Sequence, residues 1–465
     1  MSAFKQKLAR LGATAGVLAA STAAIMGVGA VEASSALAAP ECPSNAVSAI
    51  EGKGSSLQRL AQEAWTGRLV PSGEPLLAIP HELKTGGYAA TCGEAPSVSY
   101  TSTSSGNGLL ALRYTGEGVI NNGSHEGETH TISFAGTDDG PTLAQIEHAE
   151  AATSGANALV VPVAETAISV PIHMPTGCEF QSGTGLTWSD LTKVFAGSLT
   201  HWNELETDNG NAACNAEITR VVRSDASGTS FQFKNYLSAV EGKAGAVGPG
   251  KVKIGTECVT KTWAQLRPIE NAETGALNTT WPESNCNTGV TPVVTQSGGG
   301  GVASYVQANS STIGYAALPD AKSKSAAVAP MQNLGGSTVT YANPENGTQS
   351  NCGTRQYTVP TPGREGESAI HVNWNEVFGA SPAAGGTLYP LCTLTYDLSW
   401  TSYEKAGYAN PAATAADVKA YINYVLGEGQ TNAKYLANYY QALPTGAGKS
   451  TNVLAAAKNA ASKIG

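Results

Sequence analysis

The residues best suited to chemistry lie in one short segment, RSDASGTS at residues 223–230. Arg223 offers a planar pair of donors that matches the oxygens of a phosphate or carboxylate. The apolar residues at 231–240 have helical spacing, and either Ser227 or Thr229 is a suitable N-cap for that helix. Because a helix N-terminus presents unpaired N–H groups and partial positive charge, we expect this segment to bind an anion. A capped helix without a ligand is the alternative.

Three other segments place small hydroxyl residues and glycine at the ends of apolar runs. They are GKGSSL at 52–57, TSSGNG at 103–108 and FAGTDDGP at 134–141. An apolar run, a polar turn and a helical pattern follow one another at several of these places, which is typical of α/β proteins. Ligands of such folds gather at the carboxyl ends of the strands. The pattern therefore predicts an α/β fold in which these loops share one ligand site.

In this order, the four segments resemble those of the phosphate-binding protein of the high-affinity phosphate ABC transporter. LTKVFAGSLTHWN at 191–203, GGGGV at 298–302 and TIGY at 312–315 are also similar to segments of that family. The resemblance implies a two-lobed α/β fold of the type II periplasmic-binding-protein class, with a hinge between the lobes.

The resemblance also implies the organisation of the chain. Lobe 1 is expected at residues 39–164 and again at 391–465, and lobe 2 at residues 165–390. Residues 66–91, 241–287 and 337–387 match the family poorly and hold much of the glycine, proline and cysteine. We interpret them as surface insertions that disulfides pin in place.

A set of phosphate ligands follows from the resemblance, position by position: Ser56, the Leu57 amide, Ser104, Asp138, Arg223, Ser227, Gly228 and Thr229. Asp225 is expected to support Arg223 by holding its guanidinium in plane. Asp138 is an acceptor among donors, which suits an anion that carries a proton, as hydrogen phosphate does and sulfate does not. Asp139 competes with Asp138 for the aligned position.

Composition limits the possible partners. The chain has 465 residues, of which 41% are hydrophobic and 14% are charged, as in a folded protein with two lobes. The formal net charge is −9, and no run of Lys or Arg suggests a nucleic-acid surface. We expect inorganic phosphate as the ligand, an ABC permease as a partner, no cofactor, and a monomer.

The first residues predict export. Three basic residues precede a modestly apolar stretch at 11–30, and small residues at 36–38 are suitable for cleavage. We therefore predict a signal peptide at residues 1–38 and a secreted or extracytoplasmic protein. A membrane anchor is the alternative, but the stretch is rich in Ala, Gly and Thr rather than Leu, Ile and Val. No lipoprotein-type cysteine lies at the junction, since Cys42 follows Pro40 and Glu41.

Eight cysteines in an exported chain indicate disulfides. We predict that neighbours along the chain pair, because each such pair brackets a turn-rich segment. The predicted bridges are Cys42–Cys92, Cys178–Cys214, Cys258–Cys286 and Cys352–Cys392.

The function expected from these observations is capture of inorganic phosphate between two lobes for an ABC transporter. A secreted adhesin or scavenger that binds oxyanions is one alternative, and a phosphate-ester hydrolase is another. The sequence has no Gly-x-Ser-x-Gly or His-x-x-x-His motif, so we predict no catalytic residues and no enzyme activity. The cluster of His125, Glu126, Glu128 and His130 is a weak metal candidate, and an exposed hairpin tip is the interpretation that we favour.

Overall fold

Strands and helices alternate along most of the chain. The computed structural model describes residues 42–44, 46, 49–68, 70, 87–92, 96–115, 132–254, 257–266, 281, 293–335, 338–352, 357–360, 371–377, 387–446 and 452–465. Contacts divide the chain into Met1–Ala38 and Ala39–Gly465, and all described residues belong to the second unit. The predicted signal peptide therefore lies outside the described residues.

The strands, in chain order, are β1 (Ala49–Gly54), β2 (Ser97–Ser102), β3 (Ile132–Thr137), β4 (Ala158–Ser169), β5 (Pro171–His173), β6 (Thr219–Arg223), β7 (Gly250–Ile254), β8 (Glu257–Lys261), β9 (Val293–Gln296), β10 (Thr312–Gly314), β11 (Ala316–Ala317), β12 (Ala327–Val328), β13 (Met331–Gly335), β14 (Thr338–Ala342), β15 (Glu345–Asn346), β16 (Gln349–Ser350), β17 (Cys392–Trp400) and β18 (Tyr440–Gln441).

The α-helices are α1 (Arg59–Thr66), α2 (Gly87–Cys92), α3 (Ser105–Ala111), α4 (Leu143–Ala151), α5 (Trp188–Ala196), α6 (Gly228–Val240), α7 (Trp263–Leu266), α8 (Gly298–Ala308), α9 (Leu318–Ser323), α10 (Pro411–Val425), α11 (Ala433–Ala437) and α12 (Val453–Ala461). Among these described helices, none is long and apolar enough to cross a membrane.

Two larger sheets form the two lobes. The first has the strand order β11-β4-β17-β3-β1-β2, and β18 also pairs with β4. In this sheet β1 is parallel to β2 and β3, while β17 is antiparallel to β3 and β4. The second sheet has the order β12-β5-β10-β6-β9, with β6 parallel to β9 and β10. The two-lobed α/β architecture expected from the sequence is confirmed.

The strand–loop–helix pattern of the sequence puts the predicted loops at strand ends. β1 leads to α1, β2 to α3 and β6 to α6. Gly54 pairs with both Ser102 and Gly136, so the loops after β1, β2 and β3 begin side by side. Gly54 has φ +145°, and a Cβ there would lie 2.1 Å from the Gly136 carbonyl oxygen, so only glycine permits this close approach.

The chain passes between the sheets at the end of β4. Ser169 still pairs with Ala316 in the first sheet, and Ile172 pairs with Ile313 in the second. The predicted lobe boundary at 164/165 falls inside β4, and the boundary at 390/391 falls just before β17. The lobe limits stay a prediction.

Three predicted disulfides are confirmed: Cys42–Cys92, Cys178–Cys214 and Cys352–Cys392. Cys286 of the fourth predicted pair lies outside the described residues. So does the metal candidate formed by His125, Glu126, Glu128 and His130. Within the insertion at 241–287, β7 and β8 form an antiparallel hairpin, and β14 in the insertion at 337–387 pairs with β13, which precedes that insertion.

Candidate functional site

Asp138 directly follows β3, and its buried carboxylate accepts hydrogen bonds from four hydroxyl groups. Its Oδ1 accepts hydrogen bonds from Ser55 Oγ and from Thr395 Oγ1, the latter at 2.9 Å. Its Oδ2 accepts from Ser105 Oγ and Thr229 Oγ1, each at 3.2 Å. Thr229 comes from α6 on the second sheet, whereas the other hydroxyls come from elements of the first. Asp138 therefore joins the two lobes.

Burial and the neighbouring polar groups have opposite effects on the pKa of Asp138. Burial raises the pKa of Asp138 above the ordinary carboxyl value, because an ionised group loses its hydration there. The hydrogen bonds from Ser55 and Thr395, the positive charge of Arg223 and the bond from Ser105 act in the opposite direction and lower the pKa. The hydroxyls and the guanidinium thus make an anionic Asp138 less costly inside the protein.

Arg223 ends β6 and is buried, with 2% of its surface exposed. Its Nε donates to Asp225 Oδ1 at 2.7 Å and its Nη2 donates to Asp225 Oδ2. These contacts fit the support predicted for Asp225, whose role at a ligand site stays a prediction. Arg223 Nη1 is buried and has no hydrogen-bond partner among the described residues. A buried donor without a partner is costly, so Nη1 is suited to an oxygen ligand.

The Arg223–Asp225 pair keeps both charges. Burial raises the pKa of Asp225, but the charge and hydrogen bonds of Arg223, together with backbone amides such as that of Gly298, outweigh it and hold this pKa below the ordinary value. Burial lowers the pKa of Arg223, but Asp225, together with Tyr315 and Asp320, outweighs it and raises this pKa on balance. Asp225 Oδ1 also accepts from the Gly298 amide at 3.0 Å, which connects the pair to the start of α8.

Two helix N-termini face each other next to Asp138. Ser104 caps α3 by accepting from the Asn107 amide at 3.2 Å. Ser227, rather than Thr229, caps α6 by accepting from the Ser230 amide at 3.1 Å. Each cap oxygen is used as an acceptor, so each hydroxyl hydrogen is available to a ligand.

Gly228 makes the close approach of these termini possible. A Cβ at this position would lie 2.6 Å from Ser105 Oγ, 2.7 Å from the Asp139 amide nitrogen and 2.9 Å from the Asp138 carbonyl carbon. Any side chain would therefore push the two lobes apart here. The predicted residue Gly228 lies where its lack of a side chain matters.

The first loop supplies Ser56 and Leu57. Ser56 Oγ accepts from the Gly299 amide at 3.4 Å, a contact that links the loop to α8. The Leu57 amide, predicted to bind the ligand, donates to Ser55 Oγ at 3.0 Å in this structure. Its use as a ligand donor stays a prediction and requires the Ser55 hydroxyl to share it or move.

The choice between Asp138 and Asp139 has a geometric basis. Asp138 carries the hydroxyl contacts that join the lobes. Asp139 Oδ1 instead accepts from Asn375 Nδ2 at 2.9 Å, in a segment of one predicted insertion. The two neighbouring carboxylates therefore have different surroundings, and the Asp138 environment is the one that resembles a ligand site.

The structure brings the predicted residues into one connected region, but sequence reasoning missed Ser55, Ser105 and Thr395. The two serines adjoin the predicted Ser56 and Ser104. Thr395 lies on β17, CTLTYDLSW, in which every residue is buried. Its polar residues, Thr393, Thr395, Asp397 and Ser399, recur with the two-residue period of a strand. A fully buried strand with one polar face was the signal that could have revealed Thr395.

Sequence comparisons find one family model and several relatives. A family model described as a PBP superfamily domain matches residues 78–428. Alkaline phosphatase L of Pseudomonas aeruginosa is 26% identical over 345 residues, or 73% of this chain and 76% of that protein. The phosphate-binding protein PstS of Xylella fastidiosa is 31% identical over 154 residues, which is 32% of this chain and 33% of that protein.

Solved structures share the fold. The phosphate-binding protein of Stenotrophomonas maltophilia superimposes with a TM-score of 0.54 at 20% identity, over 89% of this chain and 94% of that one. The phosphate-binding protein PfluDING, solved with bound phosphate, gives a TM-score of 0.52 at 18% identity, over 85% of this chain and 91% of that one. At these identities the likeness establishes the fold alone.

Proposed function

The chain belongs to the periplasmic-binding-protein (PBP) superfamily, and from this premise we propose that it captures inorganic phosphate between its lobes. The observation that carries the proposal is Arg223 Nη1, a buried cationic donor with no partner among the described residues, close to the acceptor Asp138. A protonated oxyanion satisfies both groups at once. The relatives named as phosphate-binding proteins support the same ligand.

Each group has a distinct role in this proposal. Arg223 neutralises the anion through charge-assisted hydrogen bonds, while Asp225 fixes its orientation. The hydroxyls of Ser56, Ser104, Ser227 and Thr229, with the amides of Leu57 and Gly228, fill the remaining oxygen lone pairs. Asp138 accepts the proton of hydrogen phosphate.

Asp138 can accept that proton only if one of its four hydroxyl donors turns away. Ser105 Oγ also accepts from the Asp138 amide, and Thr395 Oγ1 also accepts from Gln58 Nε2, so these two hydroxyls are held at both ends. Thr229 Oγ1 has its contact with Asp138 Oδ2 at 3.2 Å. We propose that Thr229 turns its hydrogen to the ligand and frees a lone pair of Asp138.

Binding without catalysis is part of the proposal. One relative is named an alkaline phosphatase, so hydrolysis of phosphate esters is the competing function. Within the described part of the chain, one group of residues has metal-ligand geometry: Glu165, Cys352 and Cys392. Its two cysteines form a disulfide, which removes their thiolates as ligands.

We further propose that the protein acts outside the cytoplasm and delivers phosphate to an ABC permease. Family membership supports the location. Secretion without a lipid anchor, as an adhesin or scavenger, is the alternative.

The test uses protein that has been stripped of bound anions. Saturating phosphate should raise the melting temperature, because a ligand at about 100 times its Kd stabilises a protein by roughly 2.7 kcal/mol. Incubation with p-nitrophenyl phosphate should release no phosphate above a blank. An unchanged melting temperature would contradict the proposed ligand, and sustained ester hydrolysis would support the phosphatase alternative.

A further inference from the structure

A chain of hydrogen bonds runs from the core of the first lobe to Asp138. Tyr421 OH donates to Gln62 Oε1 at 2.6 Å, and Gln62 Nε2 donates to Gln58 Oε1 at 3.0 Å. Gln58 Nε2 then donates to Thr395 Oγ1 at 2.7 Å. Thr395 Oγ1 in turn donates to Asp138 Oδ1 at 2.9 Å. Every donor points in the same direction, towards the carboxylate.

The direction of this chain is set by its neighbours. Gln58 Nε2 also donates to the Tyr396 carbonyl at 2.9 Å, so the amide cannot be reversed without placing an oxygen against a carbonyl. Thr395 has a single hydroxyl hydrogen and already accepts from Gln58. That hydrogen lies between Asp138 Oδ1 at 2.9 Å and the Thr137 carbonyl at 3.1 Å. The shorter and charged acceptor is favoured.

The Thr395 hydroxyl lies on a different kind of element from the other three hydroxyls that contact Asp138. Ser55, Ser105 and Thr229 belong to the loops and helix starts that hold the predicted ligands. Thr395 lies on β17 and is completely buried, as is Gln58 on the other side of its hydroxyl. Thr395 is therefore placed to act on Asp138 and not on the ligand.

We propose that Thr395, oriented by Gln58, is a positioning residue that determines specificity, because it keeps Asp138 an ionised acceptor for the ligand's proton. This inference rests on the proposed function. A donor aimed at Oδ1 stabilises the carboxylate form and fixes its rotation. If Asp138 gains a proton, it becomes a donor and no longer rejects a fully deprotonated oxyanion such as sulfate. The Gln58–Thr395 pair thus favours phosphate over sulfate without touching either anion.

Other groups act on Asp138 at the same time. Arg223 faces it and favours its charge, while Asp320 opposes a second negative charge. The tyrosines whose charge is coupled to this site are Tyr100, Tyr396 and Tyr440. Further along the chain of hydrogen bonds, Asp397 Oδ1 lies 3.4 Å from Gln62 Nε2. None of these is altered by a change at Thr395 or Thr393, whereas Gln58→Met also removes a hydrogen bond that lowers the pKa of Asp397.

The experiment compares Thr395→Val with Thr393→Val. Both residues are buried threonines on β17, but Thr393 donates to the Leu394 carbonyl at 2.8 Å and not to Asp138. Phosphate and sulfate are titrated calorimetrically into stripped wild type and variants between pH 5 and pH 8.5. Thr395→Ser restores the hydroxyl and serves as the conservative rescue.

A lost hydrogen bond to a charged group changes affinity by roughly tenfold to a hundredfold. We expect Thr395→Val to lower the ratio of phosphate to sulfate affinity by that factor. The pH below which sulfate binds should rise by roughly one to two units. Thr393→Val and Thr395→Ser should behave as wild type. Thermal unfolding of each variant shows whether it is folded. If Thr395→Val does not fold, Gln58→Met takes its place, because it removes the orienting donor and should shift the ratio in the same direction.

Two failures are distinguishable. A wild type that does not bind phosphate contradicts the proposed function. A wild type that binds phosphate, together with Thr395→Val or Gln58→Met variants whose anion ratio and pH profile match those of Thr393→Val, overturns the inference alone.

Discussion

Replacing Arg223 with methionine should abolish phosphate binding and also weaken the fold. Hydrogen bonds to charged groups contribute about 1.5–3 kcal/mol each. If Arg223 makes two such bonds to the anion, their loss raises the Kd by roughly 10²–10⁴-fold. Arg223 is nearly inaccessible and pairs with Asp225 through two bonds. Removing it leaves Asp225, which is partly buried, without its charged partner, at a cost of at most about 3–5 kcal/mol.

The pH dependence of that loss has a definite sign. Arg223 holds the pKa of Asp225 below its ordinary value, so the pair stabilises the fold above the unfolded pKa of an aspartate. That stability is lost as pH falls through the folded pKa. The destabilisation of Arg223→Met should therefore be largest at neutral pH and smaller in acid.

A double variant separates binding from stability. Arg223→Met with Asp225→Asn has no unpaired charge, so we expect its melting temperature to recover most of the loss while phosphate binding stays absent. Calorimetry and thermal unfolding at pH 7.5 measure the two effects. If the double variant binds phosphate within a few-fold of wild type, the guanidinium does not hold the anion and the reasoning fails.

Three further outcomes are expected. Asp138→Asn should bind sulfate, because the new amide can donate a hydrogen bond to it, and Asp139→Asn should not. If only Asp139→Asn binds sulfate in the titration, Asp139 rather than Asp138 is the residue at the site. Gly228→Ala should weaken phosphate binding by at least about tenfold, since its Cβ would lie 2.6 Å from Ser105 Oγ; unchanged affinity would show that the lobes need not approach so closely. Burial lowers the pKa of Lys234 to about 7, so the folded protein binds fewer protons than the unfolded chain between pH 7 and the ordinary lysine pKa, and stability should rise with pH over that range. Lys234→Met should remove this rise in stability, which calorimetric melting at pH 7 and pH 9.5 measures. A variant whose stability still rises between these pH values would show that Lys234 is not the cause.

The fold was largely predictable from local patterns. Apolar runs that end in GKGSSL, TSSGNG and RSDASGTS indicated strands followed by helices, and these elements are present. The end of the short helix α11 was not predictable in this way: the helix ends at Ala437, and Tyr440 pairs with Thr166 of β4. Tyr439 has φ +64°, which a helix does not allow. A strand partner more than 270 positions away leaves no local signal.

The candidate site was predictable only where its residues lie close together in the sequence. Arg223 and Asp225 are two residues apart, and their pairing could be anticipated. The contact between Asp138 and Thr395 joins positions 257 residues apart, and that between Asp138 and Thr229 joins positions 91 apart. Such contacts depend on strand order and lobe closure, which one sequence does not specify.

Calorimetric titration of stripped wild-type protein with phosphate and with sulfate at pH 8 tests the central claim most directly. At this pH hydrogen phosphate carries one proton and sulfate carries none. The Arg223–Asp138 site predicts saturable binding of one phosphate per chain, with sulfate weaker by on the order of 10⁴ or more for a site built around one hydrogen bond. Equal binding of both anions, or no heat with phosphate, would contradict it.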